Sequence, residues 1–392
     1  MAKHSRRTFL RQGIGLAVGG PLAWSACGGT GSSPSPGASP SPSPAPPGAR
    51  VVALTRCRGY GAEAEAALRD SLDRLGGIGS LVRGRTVSVK VNLTGRPFSW
   101  LFGLPPGETY LTHGDTALAL ATLLFEAGAR RVRFIESAPF AEPMATVLSS
   151  AGWDVAALLA LGAVELENTR NLGAGSGYAH LGVPGGGYVF SSFDLNHSYQ
   201  DTDVLVSLSK MKEHATAGVT LSMKNLFGIT PNSLYGNEVG GEDALGFRMG
   251  LHAHSQAPGF HFPGEKPGFD DAEPGFRVPR IIADLNGARP VDLAIVDGIR
   301  SIRGGEGFWN TGIAPVSPGV LVAGRNAVAT DAVAVAVMGF ADPRASRGVA
   351  PFELCDNHLL LAEQAGLGTA DLGLIEVLGL SIAEARYPYR PS

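Results

Sequence analysis

Residues 203–228 read DVLVSLSKMKEHATAGVTLSMKNLFG. The opening seven residues form a largely apolar, branched run with the length of a strand buried on both faces. Beyond Ser209 the chain crowds Lys210, Lys212, His214, Lys224 and Asn225 among small and apolar residues, with Glu213 as the one acid. A solvated charged face mixes acids with bases, and this one does not. The stretch therefore predicts a strand whose carboxyl end delivers cations. They suit an anion site, or a lysine with a depressed pKa that serves for covalent attachment.

The same alternation extends on both sides. TVSVKV at 86–91 and RVRFIE at 131–136 read as strands, with a helical run over 115–126 between them that ends at Gly128. Helices follow around 142–150 and 155–161, and a strand around 164–167. Beyond residue 276 come a helix at 278–285, strands at 291–296 and 319–322, helices at 327–338 and 352–365, and a strand at 374–377. Such alternation predicts an α/β fold of mostly parallel sheets with helices on both faces. Residues 230–276 are irregular and rich in Gly, Pro and His, and a loop of that length is expected to act as a lid. The expected organisation is two lobes, 50–229 and 277–392, flanking a cleft that residues 230–276 cover.

Upstream, Ser5-Arg6-Arg7-Thr8-Phe9-Leu10-Arg11 precedes a glycine-containing apolar run over 13–24 and then Ser25-Ala26-Cys27. Residues 1–27 read as a twin-arginine signal with a lipoprotein-like end. The expected partners are the twin-arginine translocase and, through a lipid on Cys27 alone, a membrane. The expected location is the periplasm or outer cell envelope. Residues 28–49, with repeated Ser-Pro pairs, read as a disordered linker. With 32 basic and 35 acidic residues, net charge −3, the chain has no basic footprint for nucleic acid. Cys57 and Cys355 are the remaining cysteines, which excludes an iron–sulfur cluster and a disulfide framework and leaves a single bridge between them open.

Candidate site residues gather at expected element ends, where open α/β sheets bind ligands. Lys90, Asn92 and Arg96 follow the strand at 86–91. His113 precedes a helix, whose dipole favours its neutral, proton-accepting form, while Thr112 or Asp115 could cap that helix instead. Lys210, Lys212, His214, Lys224 and Asn225 follow the strand at 203–209. Asp297 closes another strand and Glu306 lies in a glycine-rich loop. His252 and His254, with His261 nearby, are candidate metal ligands. Asp331 is expected to act first as a cap or buried acceptor.

Lys210-Met211-Lys212-Glu213-His214, Lys224-Asn225-Leu226-Phe227-Gly228, Val296-Asp297-Gly298-Ile299 and GRNAVATDAVAVAVMG at 324–339 resemble the family called domain of unknown function 362, over nearly all of the chain from about Val52. Some members append a ferredoxin-like cysteine domain, which has no counterpart in these cysteines. His214-Ala215-Thr216-Ala217-Gly218, with Lys224 ten positions after His214, is also similar to a segment of lactate racemase and its relatives. That resemblance implies His113 and His214 as an acid/base pair, Lys224 as tether of a nickel-pincer nucleotide, and His252 or His254 as the metal ligand. The segment around Asn92 and Arg96 falls where that family places its substrate-binding basic residues, and Lys90, Lys210, Lys212, Asn225, Asp297 and Glu306, by their place at element ends, are further candidates to hold substrate or cofactor. The segment after the lysine, Asn225-Leu226-Phe227-Gly228, departs from the racemase pattern.

Two functions follow as expectations. One is an exported racemase- or epimerase-like enzyme acting on a small anionic substrate, with a lysine-linked or metal cofactor. The other is an envelope-tethered protein that binds a small anion through Lys90, Arg96 and Lys210 without catalysis.

Overall fold

Eight strands form one sheet in the computed structural model, which describes residues 49–390 apart from 96, 255, 257, 258, 270 and 271. The signal segment, the linker up to residue 48 and Arg96 lie outside the described residues. The strands are Val51–Arg56 (β1), Thr86–Lys90 (β2), Arg131–Glu136 (β3), Val164–Asn168 (β4), Val204–Lys210 (β5), Leu293–Gly298 (β6), Val320–Gly324 (β7) and Glu376–Gly379 (β8). Their order across the sheet is β8-β1-β7-β6-β5-β2-β3-β4. Every neighbouring pair is parallel except those of β7, which runs against both β1 and β6. The fold is α/β and mostly parallel. Most of its strands are buried on both faces and therefore read as apolar runs.

Side chains alternate between the two faces. Val204, Val206 and Leu208 enter one core, where Ala62–Arg74 (α1), Gly114–Glu126 (α2), Met144–Ser150 (α3) and Val155–Ala160 (α4) pack. Leu205, Ala294 and Val296 enter the other, beneath Leu221–Asn225 (α5), Pro274–Ala288 (α6), Ala327–Val337 (α7) and His358–Gln364 (α8). Each buried aliphatic side chain contributes about 1.5–3 kcal/mol of apolar transfer.

This arrangement corrects the two expected lobes. Strands from both parts of the chain join in one sheet, and β5 pairs directly with β6 from Val206 opposite Leu293 to Lys210 opposite Asp297. Pairing satisfies the backbone of two strands that would otherwise be open edges. The early and late helices divide by sheet face instead. Residues 230–276 are packed rather than free: Tyr235, Leu251 and Phe262 are core residues. The Arg248 guanidinium donates to Ser137 O, Thr230 O and Asn232 Oδ1.

Cys57 and Cys355 are both buried and unpaired, and burial pushes both thiols up to about 12. They belong to the cores on opposite faces of the sheet, so a bridge between them has to cross it. Among the described residues no helix is long and apolar enough to cross a membrane.

Candidate functional site

The carboxyl ends of β2, β3, β5 and β6 bring four charged side chains into the interior as two buried ion pairs. Lys90 Nζ lies 2.9 Å from Glu136 Oε2 and also donates to Val91 O and to Asn225 Oδ1. Lys210 Nζ lies 3.1 Å from Asp297 Oδ2 and donates to Tyr60 OH and Gly107 O. Desolvation lowers both lysines from the usual ammonium value, with the carboxylates opposing it. Asn225 ties this level together, its Nδ2 donating to Lys90 O and Ser207 Oγ while its Oδ1 accepts from Asn92.

Lys212 and Lys224 are buried, and among the described residues neither has a carboxylate within ion-pair distance. Lys212 Nζ is held by two carbonyls, Tyr110 O at 2.5 Å and Glu306 O at 3.0 Å. Lys224 is 8% exposed. Among the described residues its amine makes no hydrogen bond or ion pair, and Nζ lies over the Phe227 ring, 4.1 Å from the centroid. Desolvation pulls each down to about 7, against the pull of the Glu306 carboxylate. A lysine in this state is a neutral amine over half of the physiological range, hence a base and a nucleophile.

Three histidines surround Lys224 electrostatically. Burial, followed by the charges of Lys224, His252, Lys212 and His358, holds His214 well below its ordinary value. His252 and His358 are both pulled to about 3, first by burial and then by Lys224. Hydrogen bonds define two of the tautomers. The backbone N–H of Thr216 donates to His214 Nδ1 at 3.2 Å, so neutral His214 carries its proton on Nε2. His252 Nδ1 donates to Arg248 O at 2.7 Å, leaving a lone pair on Nε2. One ring is therefore a donor at Nε2 and the other an acceptor. Glu306 stands 3.9 Å from His214 and is positioned by the Ala215 N–H and the Trp309 indole.

The helix that carries Lys224 has an unusual start. Leu221 adopts φ 45°, a strained value for a branched residue that persists only where the surroundings impose it. Asp331, on α7, accepts the N–H groups of Ser222 and Met223 at 2.9 and 2.8 Å. Burial raises this carboxyl to about 7. Asp331 thus caps α5, not its own helix, which Asn326 caps.

His113 belongs to a neighbouring cluster. It caps α2 itself, its Nδ1 accepting from Asp115 N at 3.1 Å, so neither Thr112 nor Asp115 is the cap. Its ring stacks on Tyr60 at 3.5 Å. Burial, then Lys210 and Arg300, lowers it to about 3. His214, Lys224, His252 and Glu306 therefore come together, while His113 sits with Lys210, Asp297 and Tyr60. His252 and His254 part company: the His252 ring lies tilted against Phe227 with centroids 4.5 Å apart, whereas His254 Nε2 faces Glu265 Oε2 at 3.3 Å. Sequence reasoning missed Glu136, Phe227 and His358. His358 is fully buried, and among the described residues neither ring nitrogen makes a well-formed hydrogen bond. It stands at the start of α8, where nothing in the spacing marks it.

Residues 87–336 match the family described as "Domain of unknown function (DUF362)". The chain belongs to that family. It is 30% identical over 186 residues to the thylakoid-associated protein sll1697 of Synechocystis, a match covering 47% of this chain and 51% of that protein, about half of its length. A structural-genomics protein from Thermotoga maritima aligns at 12% identity with a TM-score of 0.32, over 64% of this chain and 54% of its own. The DUF362 segment includes Lys90, His113, Lys210, His214, Lys224, His252, Asp297 and Glu306, and excludes His358.

The residues present do not accommodate the nickel-pincer nucleotide that the racemase resemblance implies. The amine for a tether is there, but the Phe227 ring lies over it at 4.1 Å and His252 packs on that ring at 4.5 Å. The one described group of three metal-type ligands, His254, His261 and Glu265, does not include His214 or His252. The chemistry is accordingly derived from the side chains of the chain.

Proposed function

We propose that the chain is an exported cell-envelope enzyme of acid/base type, racemase- or epimerase-like, acting on a small anionic substrate. The observation that carries this reading is Lys224, a buried amine with no hydrogen-bond partner and a pKa drawn down to about 7. Strained backbone at Leu221 and a buried Asp331 cap hold it in place. Such an arrangement is costly to the fold and typical of functional groups. In this reading Lys224 takes the covalent or base role, His214 offers Nε2–H and His252 offers a lone pair. The anionic preference rests on five buried basic groups, Lys90, Lys210, Lys212, Lys224 and Arg248, because an anion bound beside them favours the charged forms of Lys212 and Lys224. The Arg-Arg segment near the N-terminus supports export, and the name of the Synechocystis relative supports association with a membrane.

The test combines two measurements on protein purified from its native host. Intact mass locates any adduct on Lys224, with and without borohydride. NMR in D2O follows deuterium uptake at the α-carbon of a panel of 2-hydroxy acids. The expected result is exchange by the native protein and none by Lys224→Met. If no acid in the panel exchanges, and anions bind equally well to both proteins, the enzymatic reading fails. If the native protein binds an anion without exchange and Lys224→Met does not bind, the solute-binding function replaces it.

A further inference from the structure

His254, His261 and Glu265 form a cluster that the lysine chemistry does not use. One ligand-type atom from each lies within 4.8 Å of the other two, and among the described residues this is the one group of three such side chains gathered so closely. The chain builds it deliberately. His254 follows the short helix Met249–Ala253 in the left-handed region, at φ 46°. That conformation is costly for a residue other than glycine. It turns the imidazole inward, against Phe260 and Phe262. Its side chain is 2% exposed, and among the described residues Nε2 makes no hydrogen bond although it faces Glu265 Oε2 at 3.3 Å. A buried ring nitrogen without a hydrogen bond is costly unless something else engages it.

We infer that these three side chains bind a divalent cation of the zinc class. Zinc bonds of about 2.0–2.1 Å in tetrahedral geometry place neighbouring ligand atoms about 3.3 Å apart. His254 and Glu265 already stand at that separation. His261 is exposed and 6.4 Å from His254 between ring centroids, so only a free surface side chain has to swing inward. The carboxylate is prepared for the role. The buried Arg277 holds Oε1 at 2.5 Å, and Phe262 N donates to Oε2 at 3.0 Å. These contacts fix its orientation as the partners surrounding a metal site do. Two imidazoles and one carboxylate form a borderline donor set that leaves a fourth position open on the exposed His261 side. Arg277 offsets the carboxylate charge, which favours a cation that binds through imidazole over calcium or magnesium, which need several oxygens.

Cobalt(II) tests the site, because its visible spectrum reports coordination directly. The full chain, freed of metal with a chelator, is titrated with cobalt(II) chloride and then with zinc chloride. The expected result is one equivalent bound, with a tetrahedral-type visible band that zinc displaces. His261→Ala is the main variant, since this side chain is exposed, and it should weaken binding by roughly tenfold or more. His254→Ala should do the same, with far-UV circular dichroism confirming the fold. His252→Ala and the exposed His180→Ala should bind as the native chain does. Absence of the band at millimolar cobalt overturns the site. So does undiminished affinity in both His254→Ala and His261→Ala, or loss of binding in His252→Ala, which moves the metal to the lysine cluster.

Discussion

Gly228 shows how closely the interior charges are packed. A Cβ there falls 2.5 Å from Glu136 Oε1 and 2.8 Å from Lys90 Nζ, and neither group can yield without breaking the buried pair. Gly228→Ala should therefore cost roughly 1–3 kcal/mol, read as a lower urea midpoint at unchanged slope; an unshifted midpoint contradicts that packing. Glu306 acts on Lys224 through charge. Its carboxylate raises the Lys224 pKa against desolvation, so Glu306→Gln removes a negative charge and the ammonium form loses support. The amine should then titrate below its present value of about 7. The pH dependence of Lys224 acylation, followed by peptide mass spectrometry, checks this, and a midpoint that rises or stays put rules it out. The sequence reading recognised that three lysines with one nearby acid are not a solvated face, and all three are buried. It could not name their partners, because Glu136 and Asp297 lie 46 and 87 positions away from Lys90 and Lys210. Distant pairing of that kind leaves no local signal.

Among the elements, α5 is short and carries Lys224. Five residues cannot sustain a helix alone, since nucleation outweighs so few backbone bonds. Asp331 closes its N-terminus and Asn286 holds Met223 O from α6. Asp331→Ala leaves two buried N–H groups unpaired, for an expected loss of roughly 2–5 kcal/mol. Asp331→Asn keeps one acceptor oxygen and should lose less. Thermal unfolding of both variants decides the matter, and equal losses indicate that the cap is not what holds α5. Helices α2, α6 and α7 and most of the buried strands were legible because their periodicity repeats, whereas the sequence reading gave no helix at α1, Ala62–Arg74. Helix α5 was not legible, being shorter than two turns, and neither was β1, whose apolar run is only residues 51–54 and follows closely on the proline-rich segment. Residues 352–357, expected to begin the last long helix, are instead irregular up to the Asn357 cap.

At the scale of the molecule, α/β alternation was readable and strand order was not, because order depends on which distant edges pair. That is why two lobes were expected where one sheet formed. The interior charges also give the molecule a pH profile whose sign can be worked out. Burial lowers His113, His252 and His358 to about 3 and His214 in the same direction. Between those values and their ordinary one near 6.5 the unfolded chain binds more protons than the folded one. Stability therefore rises with pH across that window and is lost as pH falls through it. Asp284 and Asp331, raised to about 6 and about 7, act in the opposite sense. Four imidazoles against two carboxyls leave a net rise, at up to about 1.4 kcal/mol per pH unit for each uncompensated proton. From pH 7 upward Lys212 and Lys224 continue it, since both are neutral in the fold and charged when unfolded. Near pH 9 the rise levels off, because the buried thiols of Cys57 and Cys355, pushed up to about 12, begin to offset the two lysines. Calorimetric Tm at constant ionic strength should climb from pH 4 to between 8 and 9. His358→Leu, which removes a buried imidazole without a well-formed hydrogen bond, should flatten the acid limb while leaving the limb above pH 7 in place. A stability maximum near pH 5, or an acid limb unaffected by that substitution, contradicts the burial of these histidines in neutral form.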